Sequence, residues 1–251
     1  MRTTSCATVA ALFMTLATAA NADCGKLCDK RGFWLTLWRL GDETAQIAAV
    51  EAEIAAGADI NGKSEGNLTP IQLAVLFSYD PDLIRLMIDN GADPHVVVGT
   101  ESPYLWLHGQ NLIHLAIIQQ KTQLEMIQVL EAAGVPLGDR GAFGRTDAHF
   151  IAEGYVEQAR ELYRFLVSKG VDINAIGPKL NTPMHVAAAN IYNGGHQVAA
   201  LLDLGADPCI RNEDGKLAAD LISEESRWHS SDIGREGFSK LLEVTANCEG
   251  P

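Results

Sequence analysis

An internal period constrains this chain more than any other feature. Gly57-Ala58-Asp59-Ile60-Asn61 returns as Gly91-Ala92-Asp93-Pro94-His95, as Gly134-Val135-Pro136-Leu137, as Gly170-Val171-Asp172-Ile173-Asn174 and as Gly205-Ala206-Asp207-Pro208-Cys209. Successive glycines stand 34, 43, 36 and 35 residues apart. A second landmark keeps the same step: Thr69-Pro70-Ile71-Gln72-Leu73-Ala74, Leu112-Ile113-His114-Leu115-Ala116, Thr146-Asp147-Ala148-His149 and Thr182-Pro183-Met184-His185-Val186-Ala187, with a shorter echo at Gly215-Lys216-Leu217-Ala218-Ala219. Two unrelated landmarks drifting together describe a repeat architecture, each repeat one small unit.

The residues between the landmarks say what that unit is. Pro70 and Pro183 suit a first helical position, where a missing N–H costs nothing, and Thr69 and Thr182 suit the N-cap before it. Short turns follow, Ser78-Tyr79-Asp80-Pro81 in one unit and Asn190-Ile191-Tyr192-Asn193-Gly194 in another. Second helices are then written by apolar residues at three- and four-residue steps: Leu83, Ile84, Leu86, Met87 and Ile88; Leu124, Met126, Ile127, Val129 and Leu130; Val198, Ala199, Leu201 and Leu202. The recurring glycine ends each one, as a left-handed C-terminal cap would. Turn formers such as Asn61-Gly62-Lys63-Ser64-Glu65-Gly66-Asn67 read as a hairpin loop. Helix pairs this short cannot bury an apolar face alone, so they must stack into one quasi-linear solenoid.

With these landmarks the chain resembles the ankyrin-repeat proteins over roughly residues 33–246. Residues 67–95 and 181–209 match best. The stretch 111–137 lacks the Thr-Pro, and in 145–174 Asp147 stands in place of proline. The expectation is an all-α solenoid of about six stacked helix pairs with hairpin loops, its end units at about 33–57 and 216–246 atypical, as capping repeats are.

Outside the solenoid, residues 1–22 read as a secretory signal peptide. Arg2 precedes an apolar run from Cys6 to Ala20, and Ala20-Asn21-Ala22 supplies small residues for cleavage. Residues 23–32 form a cysteine-containing segment and 247–251 a tail. No later stretch is apolar enough over about twenty residues to span a bilayer, so an exported product, periplasmic or secreted, is expected. The net charge is −13, and about −14 once Arg2 is removed with the leader. That field disfavours nucleic acid and anionic membranes and would steer a basic partner. Cys24, Cys28, Cys209 and Cys248 remain after cleavage, an even number suited to an oxidising compartment. Three pairings are open; order along the chain favours Cys24–Cys28 and Cys209–Cys248, as staples at the two ends.

The 43-residue step carries a surplus of roughly ten residues, placed on the loop side of its repeat. Within it Tyr104, Leu105, Trp106 and Leu107 have two readings: anchors on a projecting finger, or a flap covering a helix end. His114, His149 and His185 occupy equivalent positions in successive repeats. Repeats lie about 8–10 Å apart, too far for zinc–nitrogen bonds of about 2.0–2.1 Å to close on one ion; the resemblance implies instead that the imidazoles tie turns together. Trp34 and Trp38, four apart on one helical face, read as core packing of the N-terminal unit. No nucleophile elbow, zinc-protease signature or phosphate loop is present, and no cofactor or metal is expected. The resemblance implies protein recognition on a concave face of hairpin tips and first helices, with Lys63, Glu65 and Asn67, Phe77 and Tyr79, Lys179 and Asn181, and Glu213 and Asp214 as candidates. The leading expectation is a monomeric, non-enzymatic binding module, in one form an inhibitor or protective partner of another exported protein. An enzyme with a site in the concave groove and a structural envelope component are the alternatives.

Overall fold

The computed structural model describes residues 24–29, 33–34, 42–78, 80–118, 124–141, 143–154, 158–225 and 231–248. The leader, Trp38 and Tyr79 lie outside these residues. Among the described residues ten α-helices run in chain order: α1 Glu43–Ala55, α2 Pro70–Phe77, α3 Pro81–Asp89, α4 Leu112–Ile118, α5 Leu124–Ala132, α6 Asp147–Glu153, α7 Ala159–Ser168, α8 Pro183–Ala189, α9 Gly194–Asp203 and α10 Asp232–Thr245. Short 3-10 turns lie at Gly25–Cys28, Leu105–Leu107, Pro178–Leu180 and Ala218–Leu221. Among the described residues there is no strand.

These helices stack in two rows. The inner row is α2, α4, α6, α8 and then the Ala218–Leu221 turn; the outer row is α1, α3, α5, α7, α9 and α10. The all-α solenoid expected from the period is therefore what forms, with four complete helix pairs between two end units. One buried apolar core runs through both rows, from Leu27 and Trp34 at one end to Phe238 and Leu241 at the other. The inner helices are almost wholly enclosed: in α4 every residue from Leu112 to Ile117 is buried.

The expected helix stops are in place. Gly91 sits at φ +90° and Gly170 at φ +82°, where an L side chain would be strained. In both repeats the next residue's N–H reaches back five residues, Ala92 to Met87 and Val171 to Leu166, closing the αL cap that satisfies orphan carbonyls. The aspartate that follows is a turn lock: Asp93 Oδ1 accepts from His95 N at 2.9 Å, and Asp172 Oδ1 accepts from Asn174 N at 2.8 Å. Asn61 and Asn174 then bind across to the next repeat through the Asp93 and Asp207 amides.

The ends depart from the pattern as capping units should. At the N-terminal end the Cys24–Cys28 disulfide closes the first 3-10 turn, and Trp34 Nε1 donates to Leu27 O at 2.7 Å inside the core. At the other end the inner helix shrinks to one 3-10 turn, while α10 packs along α9 and Cys209–Cys248 ties it to the last loop. Both pairings are those favoured by order along the chain. One expectation fails locally. Gly194, read as a turn residue, opens α9 together with Gly195. Two glycines cost helix propensity, but their missing side chains admit α10: a Cβ on Gly195 would lie 2.6 Å from the Gly234 Cα.

Candidate functional site

Each loop between repeats narrows to a tip closed by one backbone bond spanning four residues: Ser64 N to Leu68 O, Gly141 N to Arg145 O, Gly177 N to Asn181 O and Asn212 N to Lys216 O. The second tip is the exception. There Val98 N bonds to Gln110 O and Gly109 N bonds back to Val98 O, so the surplus of the 43-residue step lies wholly inside the tip.

The tips brace one another. Asn67 Nδ2 donates to Glu101 O at 3.0 Å and Ser102 Oγ to Gly66 O at 3.0 Å, joining the first two. The Gln110 amide fills the space beside Gly141. Arg140 Nη1 donates to Ile176 O, and Glu213 N donates to Lys179 O at 3.0 Å. The result is a continuous, cross-linked row.

Both readings of the insertion hold, for different residues. Leu107 is buried and Tyr104 packs partly against the core, its ring over Gly66. Leu105 and Trp106, on the same 3-10 turn, stay 69% and 58% exposed. His108 Nε2 donates to Ser102 O at 2.7 Å and pins the loop's base. The insertion is thus a rigid platform with two large apolar side chains outward. Beneath it a cleft of about 650 Å³ opens between the Cys24–Cys28 turn, Lys63 to Gly66 and Pro103–Tyr104.

The other candidates fall on or near this row. Lys63, Glu65, Lys179, Glu213 and Asp214 are exposed at tips. Asn67 and Asn181 are half-buried framework residues, Asn181 Oδ1 accepting from Asn212 Nδ2 at 3.0 Å. Phe77 packs at the end of α2 against the core. Two apolar side chains on the row escaped the sequence reading, Phe143 and Leu180, 51% and 52% exposed. Their signal was their place: each lies inside a four-residue tip where apolar bulk serves no packing.

A family model described as ankyrin repeat matches residues 179–213. The crystal structure of the human ASB11 ankyrin repeat domain superposes with a TM-score of 0.62 at 20% sequence identity, covering 97% of this chain and 94% of that one. The fold is that of an ankyrin-repeat solenoid.

In this ankyrin solenoid the histidine row is framework, and it accounts for the second landmark. Thr146 N and Oγ1 lie 3.2 and 2.8 Å from His149 Nδ1, so Nε2 carries the proton and donates to Asn181 O at 3.0 Å. His185 repeats this with Thr182 and with Lys216 O at 3.1 Å. Each imidazole therefore stitches an inner helix to the next repeat's tip. His114 Nε2 donates to Asp139 O at 3.1 Å and also lies 3.1 Å from Asp147 Oδ1, which takes no hydrogen bond among the described residues, while Asp147 Oδ2 accepts from Gly138 N at 2.6 Å. Aspartate replaces the repeat's proline here because its fully buried carboxylate ties two repeats together. Among the described residues no cluster of three His, Cys, Asp or Glu side chains could hold a metal ion, and no helix is long and apolar enough to cross a membrane.

Burial lowers the affinity of His149 and His185 for a proton. A depressed folded-state value means that the unfolded chain, titrating near 6.5, binds more protons over the interval below that pH. Stability is then full above about pH 6.5 and declines as the pH falls through it. Thermal melts from pH 7.5 to 5.0 are expected to show that decline. Gln72 holds the same place in the first complete repeat, its Oε1 accepting from Thr69 N at 2.9 Å, so a His149→Gln/His185→Gln variant is expected to fold and to flatten the profile. An unchanged slope in the variant would assign the decline to other groups.

The charge is unevenly laid out. The outer helices carry twelve carboxylates against five cations, whereas the loop segments 63–68, 98–110, 139–145, 177–181 and 211–216 carry five carboxylates and six cations. The acidic field belongs to the outer wall, not to the tip row.

Proposed function

We propose that this chain is a non-enzymatic protein-binding module working outside the cytoplasm, as an inhibitor or protective partner of another exported protein, with the 98–110 insertion as its principal anchor. One observation carries this reading. A platform fixed at its base by hydrogen bonds holds Leu105 and Trp106 in solvent. Large apolar side chains on a preorganised scaffold lose little entropy on docking, and aromatic anchors of this kind dominate interface energies. Among the described residues neither side chain belongs to the buried core.

Ankyrin repeats support protein recognition as the general role. Export is supported by the Arg2-to-Ala22 leader pattern and by two disulfides suited to an oxidising compartment. The module is proposed to act as a monomer. The basic partner expected from the total charge would be met by the outer wall, and it is not required by the platform.

The test is mild cross-linking of the full chain exported under its own leader, beside a Leu105→Ser/Trp106→Ala variant. A discrete stoichiometric partner lost in the variant is the expected result, with the melting temperature unchanged because both side chains are exposed. A partner retained in full would remove the platform from the interface. Turnover of a generic ester, peptide or glycan substrate by the pure protein would overturn the non-enzymatic reading.

A further inference from the structure

The loops that follow the recurring glycines share one conformation and one stitch. Gly91, Gly170 and Gly205 are left-handed, at φ +90°, +82° and +84°. The aspartate two places on locks each turn, Asp93 accepting from His95 N, Asp172 from Asn174 N and Asp207 from Cys209 N. In two of these three loops an asparagine of the preceding repeat meets the aspartate's own amide. Asn61 Oδ1 accepts from Asp93 N at 2.8 Å while Asn61 Nδ2 donates to Gly91 O at 2.8 Å, and Asn174 Oδ1 accepts from Asp207 N at 2.9 Å. A primary carboxamide suits the place because it carries an acceptor and a donor side by side.

The seam into Asp172 has the backbone pair without the carboxamide. Gly138 stands there in the place of Asn61, its own N–H held by Asp147 Oδ2 at 2.6 Å. Among the described residues Asp172 N donates to no protein group and Gly170 O accepts from none. A cavity of about 630 Å³ opens at this seam, with Val135 and Gly138 on one wall and Gly170, Val171 and Asp172 on the other. Its charged side chains balance, Arg140 and Lys169 against Glu131 and Asp172. Lys169 Nζ pairs with Glu131 Oε1 at 2.8 Å, and Arg140 donates to the Gly144 and Ile176 carbonyls. Walls of this kind favour a neutral guest and leave the amide and carbonyl as the recognition element. The seam before it offers no such pair, because Pro136 takes the aspartate's place and has no N–H.

We infer that this seam is a carboxamide site: the cavity takes an asparagine or glutamine side chain of a partner protein, its oxygen accepting from Asp172 N and its nitrogen donating to Gly170 O. The guest then repeats what Asn61 does for Asp93 and Gly91. This rests on the protein-binding reading above and adds a second contact to it, one whose chemistry the repeat itself specifies. A carboxylate in the same place sets an acceptor against the Gly170 carbonyl. An apolar side chain leaves both backbone groups unmet. Val135 and Val171 flank the guest's methylene groups.

The test is a titration of the isotope-labelled exported protein with N-acetyl-glutamine-N-methylamide, beside the glutamate and methionine analogues, followed on backbone amide resonances. The glutamine probe is expected to move the Asp172 amide proton downfield and to saturate with a Kd of about 1–10 mM, as two hydrogen bonds and one half-covered side chain allow. Either analogue should bind about tenfold more weakly, the worth of one hydrogen bond. Asp172→Pro deletes the N–H that the probe needs. Pro136 shows that the position accepts proline, and Asp172 N holds no bond within the described fold, so the melting temperature should stay within a few degrees of the parent. Read on the Gly170 and Val171 amides, this variant should lose the probe, whereas Asp172→Asn, which keeps both the N–H and the turn lock, should bind as the parent does. Gly138→Asn narrows the cavity from the opposite wall, its Cβ meeting Val171 Cγ1 at 3.3 Å, and should weaken the probe even if the proline variant folds poorly. The inference is overturned if the glutamine probe moves no resonance at this seam, if either analogue binds as well, or if both Asp172→Pro and Gly138→Asn bind as the parent does. A cross-linked partner that needs Trp106 but tolerates both changes would also overturn it while leaving the module reading intact.

Discussion

Replacing Gly195 with valine is expected to unseat the C-terminal helix and lower stability by about 3 kcal/mol or more, at the upper end of overpacking costs. The reason is the crossing of α9 and α10. A Cβ at Gly195 would lie inside contact distance of the Gly234 carbonyl oxygen and 2.6 Å from its Cα. The reverse view is the same, since a Cβ at Gly237 would press on the Gly195 carbonyl. Those obstacles are backbone, which cannot swing aside as a side chain can, so the helices must separate. Separation exposes Phe238 and Leu241, which are 1% and 0% accessible, and each is worth about 1.5–3 kcal/mol when buried. Chemical denaturation read by far-ultraviolet circular dichroism, with proteolysis of the last helix as a second readout, checks this. A Gly144→Ala change is the control, since nothing lies within 4 Å of its Cβ; its φ of +73° should cost only about 1 kcal/mol. Valine at 195 with stability within 1 kcal/mol of the parent would mean that the crossing relaxes cheaply.

A second large effect is expected from the same end of the molecule. Cys209 and Cys248, 39 residues apart, close a loop worth about 4 kcal/mol on the chain-entropy account. A Cys209→Ser/Cys248→Ser protein should lose about that much, and α10 should fray first because a terminal unit has a neighbour on one side only. Hydrogen exchange resolves this, with protection lost from 232–245 before the inner repeats. Cys24–Cys28 encloses only four positions of separation and should contribute roughly half as much. If mass mapping of the exported chain found two free thiols at 209 and 248, the staple would not exist. The two effects should also couple: with the disulfide intact, α10 cannot diffuse away from a valine-filled crossing, so the combined loss should differ from the sum by more than 0.5 kcal/mol.

Each expectation about a particular residue turned on whether its physics was local. The histidines show a boundary case. Their spacing excluded a shared metal, and the resemblance implied a stitching role, but only the packed repeats show which carbonyl each imidazole meets: Asp139, Asn181 and Lys216. Asp147 was legible only as a departure from the repeat. Its partners His114 and Gly138 come from the neighbouring unit, and no local rule announces a buried carboxylate.

The insertion shows the same boundary within four residues. Tyr104 to Leu107 were visible as an apolar surplus, yet which of them turn inward depends on where Gly66 and Ser102 sit on adjacent tips. Asn181 looked like a variable tip residue, but its amide is consumed by Asn212 one repeat on. Phe143 and Leu180 were missed because neither breaks a helical pattern.

What the sequence determined by itself is the repeat and all that follows from short-range rules. A glycine every 34 to 43 residues stops a helix because only glycine enters the left-handed cap at no steric cost. Proline starts one because its missing N–H is not needed there. Apolar residues at three- and four-residue steps require a neighbour to bury them, so stacking was implied before any contact was known. Only the tertiary structure could decide how Gly194 and Gly195 are used, which insertion residues face solvent, and where the charge resides. The physical reason is one of range: caps and periods act within about five residues of backbone, whereas the α9–α10 crossing, the tip row and the acidic outer wall are built from residues 30 to 40 positions apart, brought together by the stacking itself.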